Sequence, residues 1–161
     1  MTDETQAVDV GEREYVAFRV GDEEYSIEIK RVREIRRWTT ATKLPHAPSY
    51  LTGVVNLRGS VVPVVDFSAR LGGGATETTE RHTIIIIEGE GQTIGLLVDS
   101  VSDILSAGAE HMQPTPQIAP PEVHEVISGL IVVDDRILRR VDVRNILETS
   151  VAEQADVADV A

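Results

Sequence analysis

Two short runs of apolar, mostly β-branched residues are separated by a polar turn in the first half of the chain. Residues 53–57 read Gly-Val-Val-Asn-Leu and residues 61–66 read Val-Val-Pro-Val-Val-Asp, with Arg58, Gly59 and Ser60 between them. Such runs are typical of β-strands, and glycine permits a tight reversal that most side chains resist. The pattern therefore predicts a β-hairpin whose turn directs Arg58 outward.

The second strand of this hairpin contains Pro63 and ends at Asp66. Because proline has no N–H to donate to a strand ladder, we expect this strand to lie at a sheet edge or to carry a bulge at Pro63. Asp66 can cap the first turn of a helix over residues 67–71, and the glycines at 72–74 then end that helix.

Short apolar runs also precede the hairpin. Residues 15–20 and 25–27 flank a turn that contains glycine and acidic residues, and they predict a first pair of strands. Ile29, Val32 and Ile35 then recur at every third position, which places them on one side of a short helical turn. The outer side of that turn is rich in arginine.

The second half of the chain repeats the first. The hairpin of residues 53–66 matches residues 129–142, a shift of 76 positions that keeps its apolar positions apolar. The region around residue 32 matches that around residue 101, a shift of 69 positions, and the first strand pair recurs within residues 83–98. Matched pairs include Gly53/Gly129, Asp66/Asp142, Leu71/Leu147, Val32/Val101, Glu34/Asp103 and Ile35/Ile104. Arg58 is not repeated, since Asp134 stands at its shifted position.

Each repeat holds five short strands with turns marked by glycine or proline, which suits a small closed barrel better than an open sandwich. Residues 84–87 are four consecutive isoleucines, apolar on both strand faces, so one face lines a barrel and the other needs a cover. The other lobe provides that cover. We therefore predict a mainly all-β fold of two interlocked five-stranded β-barrels with short helical turns and an apolar seam between them.

Composition and the repeat set the expected boundaries. The first residues are polar and acidic without a hydrophobic period, which is typical of disorder. The predicted units are an N-terminal tail (1–12), a domain (13–148) made of a first lobe (about 13–72), a flexible linker (about 72–80) and a second lobe (about 81–148), and a C-terminal tail with helical character (149–161).

The charge balance restricts the partners. The chain carries 27 acidic and 15 basic residues, a net charge of −12, which repels phosphate backbones and anionic membranes. No apolar run approaches the roughly 18 residues of a membrane span, and the acidic N-terminus does not resemble a secretory signal. We expect a cytoplasmic protein without nucleic-acid partners and without direct membrane insertion.

The residues of catalytic and metal sites are poorly represented. The chain has no cysteine, which excludes disulfides, thiolate nucleophiles and cysteine-bound zinc. Its four histidines stand singly, without the spacing of a zinc-binding helix. The glycines at 72–74 are not followed by the lysine and hydroxyl residue of a phosphate-binding loop. We expect no catalytic residue, no metal and no cofactor.

Several motifs occur in the order found in one known family. Residues 56–59 read Asn-Leu-Arg-Gly and residues 61–66 follow as above, residues 32–35 read Val-Arg-Glu-Ile, and residues 95–104 read Gly-Leu-Leu-Val-Asp-Ser-Val-Ser-Asp-Ile. From Tyr15 to about Leu147 the chain resembles CheW, the coupling protein family of bacterial chemotaxis. The resemblance implies two packed five-stranded SH3-like barrels and no enzyme activity.

The resemblance also implies partners. CheW proteins bind the cytoplasmic tip of methyl-accepting chemoreceptors and the regulatory domain of the histidine kinase CheA, and they are recruited to membrane-associated receptor arrays. A receptor tip is a helical hairpin, so recognition would place a helix along an apolar groove with a polar rim. The positions that match receptor- or kinase-binding residues of the family are Arg58, Val32, Glu34, Gly53, Asn56, Gly59, Gly95 and Gly129.

Simpler interpretations of these residues exist. An arginine in a turn is usually only solvated, and glycines such as Gly53, Gly95 and Gly129 also mark bulges or close backbone approaches. Glu34 lies among basic residues and can serve as a local charge partner. That basic cluster, which is typical of a solvated face or of an electrostatic guide for an acidic partner, comprises Lys30, Arg31, Arg33, Arg36 and Arg37.

One stretch departs from the family pattern. Residues 136–142 read Arg-Ile-Leu-Arg-Arg-Val-Asp, and the adjacent Arg139 and Arg140 cannot both point into a core. At least one must reach solvent or an acidic neighbour. For the whole chain, the alternatives to coupling in chemotaxis are coupling in a non-motility chemosensory pathway and a double β-barrel that binds a small ligand or nucleic acid.

Overall fold

The structure, a computed structural model, describes residues 12–147, and within that range the chain is mainly β. The strands are β1 (Glu12–Val20), β2 (Glu23–Glu28), β3 (Val32–Arg37), β4 (Leu51–Leu57), β5 (Ser60–Asp66), β6 (Thr83–Gly89), β7 (Gln92–Val98), β8 (Ser100–Gly108), β9 (Met112–Gln113), β10 (Ile127–Val133) and β11 (Arg136–Val141). Short helices are α1 (Phe67–Arg70), α2 (Pro121–Val126) and two 3-10 turns (Ile29–Arg31 and Ala109–His111), and residues 143–147 are also helical. Of the two predicted tails, residues 1–11 and 149–161 lie outside the described residues, and Glu12 begins β1.

The strands form two sheets. One has six strands in the order β8-β1-β2-β11-β10-β9, and the other has five in the order β3-β6-β7-β5-β4. The sixth strand of the larger sheet, β9, contributes only two residues. The prediction of a mainly β fold with short helical turns is confirmed.

The register reproduces the sequence repeat. A bulge interrupts the β4–β5 ladder between Leu51 and Gly53, and another interrupts the β10–β11 ladder between Ile127 and Gly129, the positions 76 residues later. The parallel pair of Val64 with Gly95 corresponds in the same way to the parallel pair of Arg140 with Ser26. The two sheets are thus copies of one pairing pattern.

Each sheet combines strands from both halves of the chain. Strands β1 and β2 pair with β8 and β11, whereas β6 and β7 pair with β3 and β5. The chain crosses between the sheets at residues 29–31 and again at Asp99, while residues 71–82 join α1 to β6 on the side of the five-stranded sheet. The interlocking arises from this exchange of strand pairs.

An apolar seam joins the sheets, as predicted. Phe18 and Tyr25 of the six-stranded sheet stack with ring centroids 5.6 Å apart, and Phe67 of α1 meets both rings edge-on at 5.5 and 4.9 Å. Ile85 and Leu96 of the five-stranded sheet belong to the same buried cluster. Since edge-to-face aromatic contacts add to the effect of burial, this seam stabilises the packing of the two sheets.

The predicted helical turn through Ile29, Val32 and Ile35 is largely wrong. Only residues 29–31 are helical, and residues 32–37 form β3, which pairs with β6. The isoleucine-rich β6 offers a ladder for this segment, and tertiary pairing overrides a three-residue spacing that spans two elements. Ile35 is 46% exposed rather than part of an apolar inner side.

The expectation for Pro63 is also wrong. Strand β5 is not at an edge, since it lies between β7 and β4, and the bulge of the β4–β5 ladder is on β4 and not at Pro63. Pro63 lies opposite Val54, whose N–H and carbonyl both bond to Thr42 at 2.8 Å and therefore need no donor from Pro63. The ladder with β7 starts only at Val64. An interior strand thus accommodates proline at a position where neither neighbour requires its N–H.

The predicted cap at Asp66 is confirmed. Its side chain accepts a hydrogen bond from the Ala69 N–H at 3.4 Å and so caps α1. The same carboxylate accepts bonds from the N–H and the hydroxyl of Thr76, each at 2.7 Å. Asp66 therefore fixes both the helix and the return of the loop that follows it.

Candidate functional site

The turn between β4 and β5 has a defined geometry. Arg58 and Gly59 both have positive φ, 51° and 88°, as the favoured two-residue hairpin turn requires, and Leu57 pairs with Ser60 across it. The Asn56 side-chain oxygen accepts a hydrogen bond from the Gly59 N–H at 2.8 Å. Asn56 and Gly59 thus hold Arg58 in a left-handed conformation, and its side chain is 63% exposed.

Arg58 forms an ion pair with Glu34. Its Nη2 donates a hydrogen bond to Glu34 Oε2, and Arg36 Nη1 donates to Glu34 Oε1 at 3.1 Å. Hydrogen bonds from Arg58 first and Arg36 second lower the pKa of Glu34 below its ordinary value. At neutral pH the site is a carboxylate held between two guanidinium groups.

Closure of the five-stranded sheet brings this pair together. Glu34 lies on β3 and Arg58 follows β4, which are the two outer strands of that sheet. Trp38, just after β3, packs against the same small core as Leu57 and Val55 of β4. The sheet is therefore curled, and Arg58 and Glu34 meet where its edges approach each other.

Two exposed apolar residues are adjacent in sequence to Glu34 and to the turn. Ile35, next to Glu34, is 46% exposed, and Val61, next to the turn, is 69% exposed. Sequence patterns missed both, because a lone apolar residue within a strand pattern is normally assigned to the core. The repeat keeps both positions apolar, with Ile104 matching Ile35 and Ile137 matching Val61. These counterparts are exposed as well, at 55% and 56%.

The six-stranded sheet carries a related ion pair. Arg136 of β11 donates two hydrogen bonds to Asp103, both at 3.0 Å, and two to Glu24, at 2.7 and 3.3 Å. The pKa of Asp103 is lowered by its hydrogen bonds to Arg136, and the pKa of Arg136 is raised. Asp103 occupies the repeat position of Glu34, but Arg136 corresponds to Ser60 rather than to Arg58. Sequence reasoning did not single out Arg136.

Three of the predicted site glycines are buried in the backbone packing. A Cβ on Gly53, whose φ is +153°, would stand 2.5 Å from the Thr42 carbonyl oxygen, and one on Gly129 would stand 2.8 Å from that of Gln113. A Cβ on Gly95 would stand 2.7 Å from Ile84 Cγ2. Each glycine permits a close approach that a side chain would prevent, and a contact of these residues with a partner stays a prediction.

The structure thus brings together four of the predicted site residues and leaves the others apart. Arg58, Glu34, Asn56 and Gly59 form one surface at the turn. The other members lie elsewhere: Val32 is partly buried against the main core at the start of β3, Gly53 is at the far end of β4, Gly95 is in β7 and Gly129 is in the other sheet.

Much of the basic cluster is neutralised by acidic neighbours. Lys30 lies 3.3 Å from Glu28, and Arg33 lies 3.7 Å from Glu88. Within residues 12–147 no group of acidic or histidine side chains is arranged to hold a metal ion, and no helix there is long and apolar enough to cross a membrane.

Comparison with known proteins settles the family. The model of the CheW-like domain matches residues 14–151. The chain belongs to the CheW family. It is 46% identical over 155 residues to the chemotaxis protein CheW of Rhizobium meliloti (strain 1021), covering 96% of this chain and 100% of that one. It is 41% identical over 150 residues to a probable chemotaxis protein CheW of Rhizobium etli, covering 93% and 97% of the two chains.

A solved CheW structure has the same fold. The scaffolding protein TtCheW from Thermoanaerobacter tengcongensis superimposes with a TM-score of 0.75 and 29% identity, over 81% of this chain and 88% of that one. The protein is accordingly a non-enzymatic CheW-type adaptor and scaffold of chemotaxis, which confirms the resemblance and the function that it implied.

Proposed function

We propose that this CheW-type scaffold couples the cytoplasmic tip of a methyl-accepting chemoreceptor to the regulatory domain of the histidine kinase CheA. The protein would act in the cytoplasm, at membrane-associated receptor arrays. The motif matches in residues 32–35 and 56–66 and the family membership support these partners.

The observation that carries the proposal is the exposed ion pair of Arg58 and Glu34. The turn holds Arg58 in place through Asn56 and Gly59, so little side-chain and backbone freedom is lost when a partner binds. Ile35 and Val61, the sequence neighbours of Glu34 and of the turn, are exposed apolar side chains. A polar anchor next to apolar side chains is suited to a helical partner with an apolar face.

The repeat strengthens the assignment to this turn. The hairpin occurs twice, but Asp134 replaces Arg58 in the second copy, where φ is also positive at 54°. The fold therefore accepts either an acidic or a basic residue at this turn position. The arginine is not needed to form the hairpin, and its role lies in what it contacts.

The test is kinase autophosphorylation with the full chain, CheA and a receptor fragment, in every combination. We expect a rise only when all three are present and its loss in Arg58→Glu. Arg19→Glu, at an exposed arginine on β1 of the other sheet, makes the same charge change and serves as the matched control. Pull-down with each partner alone then identifies which of them contacts the Arg58 surface.

Folding must be checked in the same variants. Far-UV circular dichroism and the melting temperature of Arg58→Glu should equal those of the wild type. If Arg58→Glu unfolds, Arg58 is structural; if it couples as well as Arg19→Glu, the docking surface lies elsewhere. Either result overturns the proposal.

A further inference from the structure

A polar cavity lies at one end of the six-stranded sheet, away from the Arg58 turn. Its volume is about 250 Å³, and its walls come from β1, β2, β10, β11 and the residues after β11. Its charged and hydroxyl side chains include three arginines, two carboxylates and two serines: Arg31, Arg140, Arg144, Glu28, Asp142, Ser26 and Ser128.

The corresponding place in the five-stranded sheet is filled. By the two repeat shifts, Tyr15, Glu28 and Arg140 correspond to Ile84, Leu97 and Val64, and Ser26 corresponds to Gly95. Ile84, Leu97 and Val64 are at most 2% exposed and form the small core of that sheet. The duplicated fold therefore closes this end with apolar side chains, and the polar cavity is an addition in one copy.

The arginines of the cavity have no acidic partner that accounts for them. Among the described residues neither Arg140 nor Arg31 forms an ion pair, and Arg144 approaches Glu90 only to 3.9 Å. The neighbouring Arg139 differs, because it pairs with Glu23 and covers the Tyr25 ring at 5.6 Å. Of the two adjacent arginines of β11, Arg139 therefore pairs with an acidic residue, whereas Arg140 lines the cavity.

The acidic residues of the cavity are engaged elsewhere. Glu28 pairs with Arg13 at 3.2 Å and with Lys30 at 3.3 Å, and Asp142 accepts a hydrogen bond from the Asn145 N–H at 3.0 Å. With three arginines against two carboxylates, the lining keeps a net positive charge, in a chain whose net charge is −12. Guanidinium groups without a carboxylate partner that line one cavity favour an anionic ligand there.

We propose that this cavity binds a small oxyanion, a carboxylate or a phosphate, between Arg140, Arg31 and Arg144. The planar guanidinium fork matches both anions. The hydroxyls of Ser26 and Ser128 now make only long bonds to backbone carbonyls, 3.4 and 3.5 Å, and are placed to donate to a ligand. The volume lies below the roughly 300–1,000 Å³ of pockets for drug-sized molecules, so the ligand is small.

The proposal is tested with the full chain by NMR titration and calorimetry, using inorganic phosphate and succinate at constant ionic strength. We expect saturable shifts of the Ser26, Ser128 and Gly129 amides. Arg140→Val, which copies Val64 of the other sheet, should weaken binding about tenfold or more, since a hydrogen bond to a charged group is lost. Arg37→Gln, at an exposed arginine far along β3, should change the affinity less than about twofold.

The outcomes separate clearly. Saturation by phosphate alone identifies a phosphate site, by succinate alone a carboxylate site, and by both a general oxyanion site. If neither anion gives saturable shifts at these amides, or if Arg140→Val binds like the wild type, the proposal is overturned. Should Arg140→Val fail to fold, Arg144→Gln takes its place, and the wild-type shift map still decides between the cavity and scattered surface arginines.

Discussion

Arg58, in the turn after β4, donates a hydrogen bond to Glu34 on β3, although these strands form opposite edges of the five-stranded sheet. The contact exists only because the sheet curls until its edges approach each other. One ion pair therefore reports both on the closure of the sheet and on the state of the proposed docking surface.

The pKa of Glu34 should depend on Arg58. Arg58→Ala removes the hydrogen bond that lowers the pKa of Glu34 most and should raise that pKa toward its ordinary value of 4.5. Arg33→Ala, at an arginine that pairs with Glu88, should leave it unchanged. Carbon-detected NMR of the Glu34 carboxyl group measures this directly. An unshifted titration in Arg58→Ala would show that the pair does not persist in solution.

Gly53→Ala should destabilise the protein through two effects. Its φ of +153° disfavours a side chain, and the new Cβ would stand 2.5 Å from the Thr42 carbonyl oxygen, so we expect a loss of about 2–4 kcal/mol. Gly74→Ala isolates backbone strain, because φ there is +88° but the space around it is open, and should cost about 1–2 kcal/mol. Urea unfolding measures both, and equal losses would contradict the close approach at Thr42.

The two capping aspartates should differ in importance. Asp66 accepts three hydrogen bonds and is 4% exposed, so Asp66→Ala should cost about 2–4 kcal/mol. Asp142, its repeat counterpart, accepts from the Asn145 N–H and is less buried, so Asp142→Ala should cost about 1 kcal/mol. Thr76→Val, which removes the hydroxyl donor to Asp66, should by itself reproduce part of the difference between the two losses. Similar losses in the two alanine variants would rule out a special role for the Thr76 contacts.

Arg136 should make stability depend on acid pH. A carboxyl group with a lowered folded-state pKa contributes stability that is present above its ordinary pKa and is lost as the pH falls through the folded value. The ordinary pKa of an aspartate such as Asp103 is 3.8. Arg136→Gln should therefore lose more free energy of unfolding, relative to the wild type, at neutral pH than at about pH 2. Because Asp103 is 44% exposed, the difference should be only about 0.5–1 kcal/mol.

Denaturant unfolding at the two pH values measures this effect. Arg33→Gln, whose partner Glu88 is 3.7 Å away and half exposed, should show no pH-dependent difference from the wild type. If Arg136→Gln loses the same free energy of unfolding at both pH values, Arg136 acts through packing and not through Asp103.

Local chemistry explains why part of the structure could be predicted. The Arg58-Gly59 turn, the Asp66 cap and the strand runs depend on near neighbours in the chain, and all three occur as expected. The repeat was visible because both copies need the same bulge glycines and the same cap. Arg58 was placed outward correctly for the same reason.

The remaining features depend on distant contacts. Nothing local indicates that residues 32–37 pair with β6, or that Pro63 faces a strand whose polar groups already bond to Thr42. The ion pairs of Arg136 and the exposure of Ile35 and Val61 depend on how the hairpins lie beside β2, β8 and β3, which the local sequence does not determine. Patterns of hydrophobicity describe faces of strands, but they do not choose partners for them.

The exchange of strand pairs between the repeats also bears on how the chain is made. Ser26 of β2 has its parallel partner, Arg140, near the opposite end of the described residues. A growing chain therefore leaves the ribosome with its first hairpin complete but lacking the neighbours that cover it, and that hairpin waits until β8 and β11 have been synthesised. Interlocking thus ties correct folding to the synthesis of β11, and we expect a product truncated before β11 to expose the edges of β1 and β2 to chaperones.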